Sequence, residues 1–458
     1  MWSFDLSQYT AVWETSLNIC ILLCALLLGN MLRRVIPFLR KAFVPSALIG
    51  GLLVFFVNFA VKEIFGAEFI NRRTMQVLTY HALAVGFIAM SLKAVEKKKD
   101  GEGLMSVKNG LITGGTYMLQ AVVGIITALA FYYIGGVFFG TGVLLPLGFG
   151  QGPGNALIWD VNFTESGYLT SNGSLGLTIA SIGFIVASVV GVIYINIFKR
   201  KGEIVYKERN ITRAVSDFES ENEIEDSESV DKSSIQFAFV AVSYLLSFGI
   251  MFLFKKLSDV TGVKLFNDVA WGFNFIWGVI TATALKAFMR FLEKKQVVKK
   301  RYINNYQMDR ISGFAFDLMI IAGVAAIDIK VVADYVWIII ALSIVGTIAT
   351  TLYVKMMTKL CFKDFCHEAF LVNFGTLTGT ASNGMILLRE VDPNYETPTS
   401  DIFILSQFPA MIAVAPLLLL LKTSASSFTG CMVSLGIFFI LFIAYSAFLI
   451  ISAKKRVK

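Results

Sequence analysis

Eleven long, mostly apolar stretches follow one another along the chain. They lie near 16–32, 45–61, 79–92, 110–134, 174–198, 235–254, 266–289, 313–328, 335–354, 401–421 and 428–452. A helix needs roughly 20 such residues to cross a bilayer. The stretches take up close to half of the 458 residues and leave no room for a large soluble domain. Composition agrees, with 56% hydrophobic and 16% charged residues, against about 25% charged in soluble proteins. A soluble enzyme, a secreted disulfide scaffold and a nucleic-acid-binding protein are excluded. Asp5 and Glu14, with no Lys or Arg, precede the first stretch. A cleaved signal begins with positive charge, so this stretch is expected to be a retained span.

Charge orients the spans. With the amino terminus outside, 31 of the 40 Lys and Arg fall in inside segments and eight outside, with Lys286 within a span. Basic residues collect on the cytoplasmic side, so the tail from Lys454 to Lys458 is expected to be cytoplasmic. The excess of +8 then reflects topology rather than an anionic partner. The pattern requires two further apolar, glycine-rich stretches, 137–160 and 366–392, to enter and leave on one side, as re-entrant hairpins. Irregular backbone at that depth persists only inside protein or beside a water-filled cavity.

The tips of these hairpins match each other. Phe149-Gly150-Gln151-Gly152-Pro153-Gly154-Asn155-Ala156 and Phe374-Gly375-Thr376-Leu377-Thr378-Gly379-Thr380-Ala381 both read F-G-x-x-x-G-x-A. Each follows four spans and precedes one more. Five spans is an odd number, so the second unit is inserted upside down. The expected architecture is an all-α polytopic membrane protein with an inverted-topology repeat, the plan of secondary transporters. The repeats are 1–198 and 235–421, each of five spans plus one re-entrant hairpin. An acidic cytoplasmic linker at 199–234 joins them, and 422–458 adds an extra C-terminal span and a basic tail.

Glycine lets a tip adopt open turns, with positive φ expected at Gly152 and Gly379, and lets the backbone approach a ligand. Helix halves ending there offer N–H groups to anions and carbonyls to cations. Gln151, Gly152, Pro153, Gly154, Thr376, Thr378, Gly379 and Thr380 are therefore the candidate substrate-binding residues. Asn155, Asp317, Ser382 and Asn383 are the candidate Na⁺ ligands, because hydroxyl, amide and carboxylate oxygens suit a hard cation. The alternative is that the glycines only permit close helix packing and the hydroxyls only bond back to their own helices. Asp317 within a span reads either as a cation ligand or as a carboxylate in headgroup water. His81 opens the third span as an interfacial anchor, with proton coupling as its other reading. Arg389 reads as interfacial beside Glu390 and Asp392, or as a carboxylate partner. Asp160 and Glu165 read as outer rim, and Lys286 as snorkelling to the cytoplasmic surface. Cys361, Cys366 and His367 are too few ligands for a closed zinc site. The sequence contains neither a Walker loop nor an H-E-x-x-H run, so the chain is not read as an enzyme and no organic cofactor is expected.

The two tips, their order, the 5+5 layout and the run Leu388-Arg389-Glu390-Val391-Asp392-Pro393 resemble the bacterial glutamate–sodium symporter family (GltS-like). The resemblance covers roughly 15–421. It implies Na⁺ as coupling ion, an acidic amino acid (glutamate first) as the solute, two glycine-rich hairpins meeting at the site, and a homodimer in a bacterial inner membrane. The family's fold relatives imply an elevator motion. Gln151 stands where well-known members have a His, which keeps another organic anion, such as a dicarboxylate, open as the solute. An ion channel is the reading from another class, since paired half-helices also build channel filters.

Overall fold

The computed structural model describes residues 9–93, 102–204, 231–298, 300–393 and 396–454. Most of the acidic linker and the tail beyond Lys454 lie outside them. Every regular element among the described residues is helical. The order begins α1 (Tyr9–Val35), α2 (Pro37–Lys41), α3 (Ser46–Phe65), α4 (Arg72–Leu92) and α5 (Glu102–Gly135). The first broken region follows: a 3-10 turn Phe139–Val143, α6 (Leu144–Pro146), a π-turn Leu147–Gln151 and α7 (Pro153–Glu165). Then come α8 (Ser174–Arg200), α9 (Lys232–Thr261), α10 (Lys264–Gly272), α11 (Asn274–Lys294), α12 (Asn305–Ala325), α13 (Ile329–Asp334) and α14 (Val336–Cys361). The second broken region is α15 (Cys366–Thr378) and α16 (Ala381–Val391), and α17 (Thr399–Leu405), α18 (Gln407–Ser426) and α19 (Phe428–Lys454) complete the chain.

Ten of these helices are long and apolar enough to cross a membrane. Ten of the eleven expected spans fall on them. The stretch expected at 313–328 is the exception. It lies on α12, whose 21 residues include Asp309, Arg310 and Asp317. Three charges in so short a helix keep it out of the ten. Helix ends follow local chemistry. Gly66 and Gly262 close α3 and α9 with φ of 68° and 72°, the left-handed stop that glycine adopts freely. Asp231 accepts the Ser234 N–H and so caps the start of α9.

The chain forms two compact units. The first comprises residues up to Gln76, Lys98–Asn210 and Ile321–Lys458, and therefore holds both broken regions. Its central element is α5, which packs on α14, α18 and α19. Ile112, Tyr353, Met357, Phe362, Phe365, Ile402 and Leu449 form one apolar cluster here. The extra span α19 is built into this unit. Tyr445 donates to the Ala413 carbonyl (3.1 Å), and the buried Lys108 donates to the Ser452 carbonyl (3.3 Å). A cation at a helix C-terminus is favourable. On a surface loop of this unit, burial works against the charge of Asp328. The Lys330 N–H and the Arg72 guanidinium (2.6 Å) outweigh it and hold the carboxyl below the ordinary carboxylate range.

The second unit is Val77–Lys97 with Ile211–Ile320. Its core joins Ile88, Ala89 and Leu92 to Val240, Ala282, Met308 and Ile311. Lys286 does not simply snorkel. Its ammonium bonds the Ser91 and Lys93 carbonyls (2.5 and 2.9 Å), so it closes the C-terminal end of α4.

Candidate functional site

Both F-G-x-x-x-G-x-A stretches interrupt a helix, and each does so differently. In the first, the π-turn Leu147–Gln151 runs into Gly152 at φ 83° and ψ −175°. That conformation is essentially glycine's alone. Pro153 then opens α7, where its missing N–H costs nothing and its ring presets φ. Single π-turns recur at functional sites. In the second, α15 ends at Thr378 and α16 begins at Ala381. Gly379 has φ −140°, so the positive φ expected there is corrected. Its constraint is space: a Cβ would lie 2.4 Å from Asn383 Nδ2 and 3.1 Å from Ala187 Cβ.

Neither new helix receives a side-chain cap. Gly152 has no side chain, and Thr380 makes no capping bond to α16. The first N–H groups of α7 and α16 are thus the positive ends of two helices. Around them lie buried polar atoms with no protein partner: Gln151 Oε1, Asn155 Oδ1 and Nδ2, Thr380 Oγ1 and Asn383 Nδ2. Asn155 is 1% exposed and Asn383 6%. Because both atoms of the Asn155 amide are unpartnered, turning it over still leaves one donor and one acceptor. Each such group costs about 1–3 kcal/mol when buried without a partner. A cluster of them on two matching tips is the arrangement a polar solute would satisfy. Other unpartnered atoms, such as Thr141 Oγ1 and Ser343 Oγ, occur elsewhere in the same unit.

Two neighbours hold the tips. The face of α5 carries Tyr117 and Gln120, three residues apart and so side by side on the helix. Tyr117 donates to the Gly150 carbonyl (2.6 Å) and Gln120 to the Leu377 carbonyl (2.9 Å). One helix therefore grips the last turn before each break. Glycines of α8 permit contact on another side. A Cβ at Gly176 would lie 2.4 Å from the Ala156 carbonyl oxygen, and one at Gly183 2.4 Å from that of Thr378.

The expected residues separate accordingly. Gln151, Gly152, Pro153, Gly154, Asn155, Thr376, Thr378, Gly379, Thr380, Ser382 and Asn383 share the first unit. The Thr376 and Thr378 hydroxyls donate to the Val372 and Phe374 carbonyls (both 2.7 Å), one turn back. Ser382 and Arg389 are exposed. Asp317 is exposed on α12 and belongs to the second unit. His81 is bonded to the Tyr244 hydroxyl. Glu165 is exposed, as expected of a rim. Asp160 is not: it is 0% exposed, and it accepts from the Ser171 hydroxyl and the Gly176 N–H (2.8 Å). Sequence reasoning missed Tyr117, Gln120 and also Asn109, whose side-chain Oδ1 accepts from Asn373 Nδ2 (2.7 Å). Asn109, Thr113, Thr116 and Gln120 recur every three or four residues in an apolar span, a helical polar stripe that could have been read.

An open cleft of about 720 Å³ lies elsewhere in the first unit, lined by Glu14, Asn18, Asn71, Arg72, Arg73 and Asn172 among others. It shares no residue with the tips, whose unpartnered polar atoms are enclosed. Holding a small polar solute between broken helices in a polytopic chain is the task of a membrane transporter. The model of the sodium/glutamate symporter family matches residues 12–381, and the chain belongs to that family. The match takes in the whole first break and the second as far as Ala381, and stops short of α19. A search of curated proteins returned no match.

Proposed function

We propose that the chain imports glutamate together with Na⁺ across a bacterial inner membrane. The observation that carries this reading is the group of unpartnered polar atoms on both tips of one compact unit. The N–H groups opening α7 and α16 suit the two carboxylates of glutamate. The oxygens of Gln151, Asn155 and Thr380 suit its ammonium group and Na⁺. Gly152, Gly154 and Gly379 let backbone approach the solute, and Pro153 fixes the start of α7. In this reading the broken helices are re-entrant hairpins of an inverted repeat. The protein works as a homodimer, and an elevator motion carries the occupied tips from one side to the other. Glutamate carries a net −1 charge, so an inside-negative potential opposes its entry by about 2.3 kcal/mol per 100 mV. One Na⁺ cancels that charge, and a second lets the potential assist.

The purified chain in proteoliposomes is expected to accumulate labelled glutamate only under an inward Na⁺ gradient. Equal uptake with K⁺ in place of Na⁺, or uptake of a dicarboxylate in preference to glutamate, overturns the reading. Asp317 stays a proposed Na⁺ ligand on the chemistry of its own span, where a carboxylate is costly without a function. Asp317→Asn is then expected to raise the Na⁺ concentration for half-maximal uptake and to leave glutamate affinity at saturating Na⁺ little changed. Wild-type sodium dependence in that variant would return Asp317 to headgroup water.

A further inference from the structure

Gln120 carries more than a structural bond. Its side chain is fully buried, at 0% exposure. Nε2 donates to the Leu377 carbonyl (2.9 Å) and to Thr350 Oγ1 (2.8 Å). A carbonyl can only accept, so the Leu377 bond fixes which way the amide faces. What remains is Oε1, an acceptor with no protein partner. A glutamine kept only to brace the second tip would leave that oxygen uncompensated in the core of the unit, on the amide that grips Leu377 and about one helical turn from the Tyr117 that holds the first tip.

The position selects the ligand. Leu377 and Thr378 are the last residues of α15, and a helix ends in unsatisfied carbonyls with partial negative charge. Anions belong at the opposite polarity, the openings of α7 and α16. A neutral amide oxygen next to a carbonyl end is therefore a place for a cation with a preference for hard oxygen. We propose that Gln120 Oε1 is a ligand of the coupling Na⁺, with the carbonyl end of α15 beside it. Because Nε2 of the same amide grips Leu377, the ion and the second tip are joined through one side chain. Loss of the ion then loosens the hold on that tip. This inference rests on the sodium-coupled reading above and adds a residue to it that the tip motif does not contain.

The full chain, purified and reconstituted, gives the test. Gln120→Leu removes both amide atoms at similar bulk, and Gln120→Glu keeps an oxygen for the ion. Loss of one good ligand bond corresponds to about tenfold in affinity. In Gln120→Leu the half-maximal Na⁺ concentration is expected to rise about tenfold. The glutamate KM at saturating Na⁺ is expected to stay within about threefold, no more than about half of that bond's worth. Thermal stabilisation by NaCl over KCl, measured without glutamate, is expected to shrink in Gln120→Leu and persist in Gln120→Glu. That readout remains even for a variant too weak to transport. Tyr117→Phe removes the matching grip on the first tip, and the hydroxyl it deletes bonds Gly150 rather than the carbonyl end of α15, so its sodium dependence is expected to remain that of the wild type. Three outcomes overturn the proposal: wild-type sodium dependence in Gln120→Leu, a shift confined to the glutamate KM, or an equal sodium shift in Tyr117→Phe. The second would assign Oε1 to the ammonium group of the solute. If the wild-type protein itself shows no sodium-dependent uptake, the functional reading fails first, and the experiment shows it directly.

Discussion

Gly152→Val is expected to lower glutamate uptake by ten- to a thousandfold in proteoliposomes, with expression and membrane insertion near wild type. Gly152 holds φ 83° and ψ −175°, where a side chain costs of the order of 1–3 kcal/mol and a β-branched one is worst placed. The chain relieves that strain by turning the π-turn and the opening of α7 away from their present geometry. Solute contacts at Gln151 and Asn155 then weaken in the same step, and each 1.4 kcal/mol lost is a factor of ten. Gly379→Val reaches a similar loss by another route. Its φ is negative, so the obstacle there is space: a Cβ would drive into the Asn383 amide. Asn383 Nδ2 is among the unpartnered atoms of the site, so its displacement acts on the solute directly. Gly379→Ala, with less bulk, should therefore be milder than Gly379→Val, whereas Gly152→Ala should remain severe. Normal transport by both valine variants would make the breaks packing elements and move the site elsewhere.

The difference between the two glycines shows where sequence reasoning reaches its limit. The shared F-G-x-x-x-G-x-A pattern locates both breaks to within a few residues, because glycine and proline are local signals. It does not fix the register of the break. Ala381 is the first residue of α16, but Ala156, its counterpart, is already three residues into α7. Pro153 starts α7 early, and the second tip has no proline to do so. Likewise, nothing in the one-dimensional pattern separates the Thr376 and Thr378 hydroxyls, which bond back into α15, from Thr380, which does not. Spans were legible wherever apolar length was unbroken. The exception, α12, fails on Asp309, Arg310 and Asp317, which the apolar run after Asp317 conceals. Gln120 and Tyr117 escaped because their significance lies in contacts across more than 200 and about 30 residues of chain, respectively.

Asp160 is the residue whose position the sequence most misstated, and its replacement is expected to have the largest effect on folding. A carboxylate just past a glycine-rich tip reads as rim. In the fold it turns inward from α7 to the start of α8. There it accepts the Gly176 N–H and the Ser171 hydroxyl, with the N–H groups of Gly173 and Leu175 also turned toward it. The positive end of a 27-residue helix thus meets a buried negative charge. Hydrogen bonds to charged groups contribute about 1.5–3 kcal/mol each, so losing the two side-chain-mediated bonds costs about 3–6 kcal/mol before any rearrangement. Asp160→Ala should fall well below wild type in thermal stability, measured in detergent, and in yield of folded protein. Asp160→Asn keeps an acceptor oxygen but not the charge, and should recover part of the stability. The bond runs between the second arm of the first break and α8, the helix whose Gly176 and Gly183 lie against both broken regions. Transport by the folded fraction of Asp160→Asn should therefore also be reduced, because the tip loses its anchor while keeping all its own polar atoms. Glu165→Gln, five residues on and exposed, is the comparison. If it and Asp160→Asn behave alike in stability and uptake, Asp160 is a rim carboxylate after all and α8 does not depend on it.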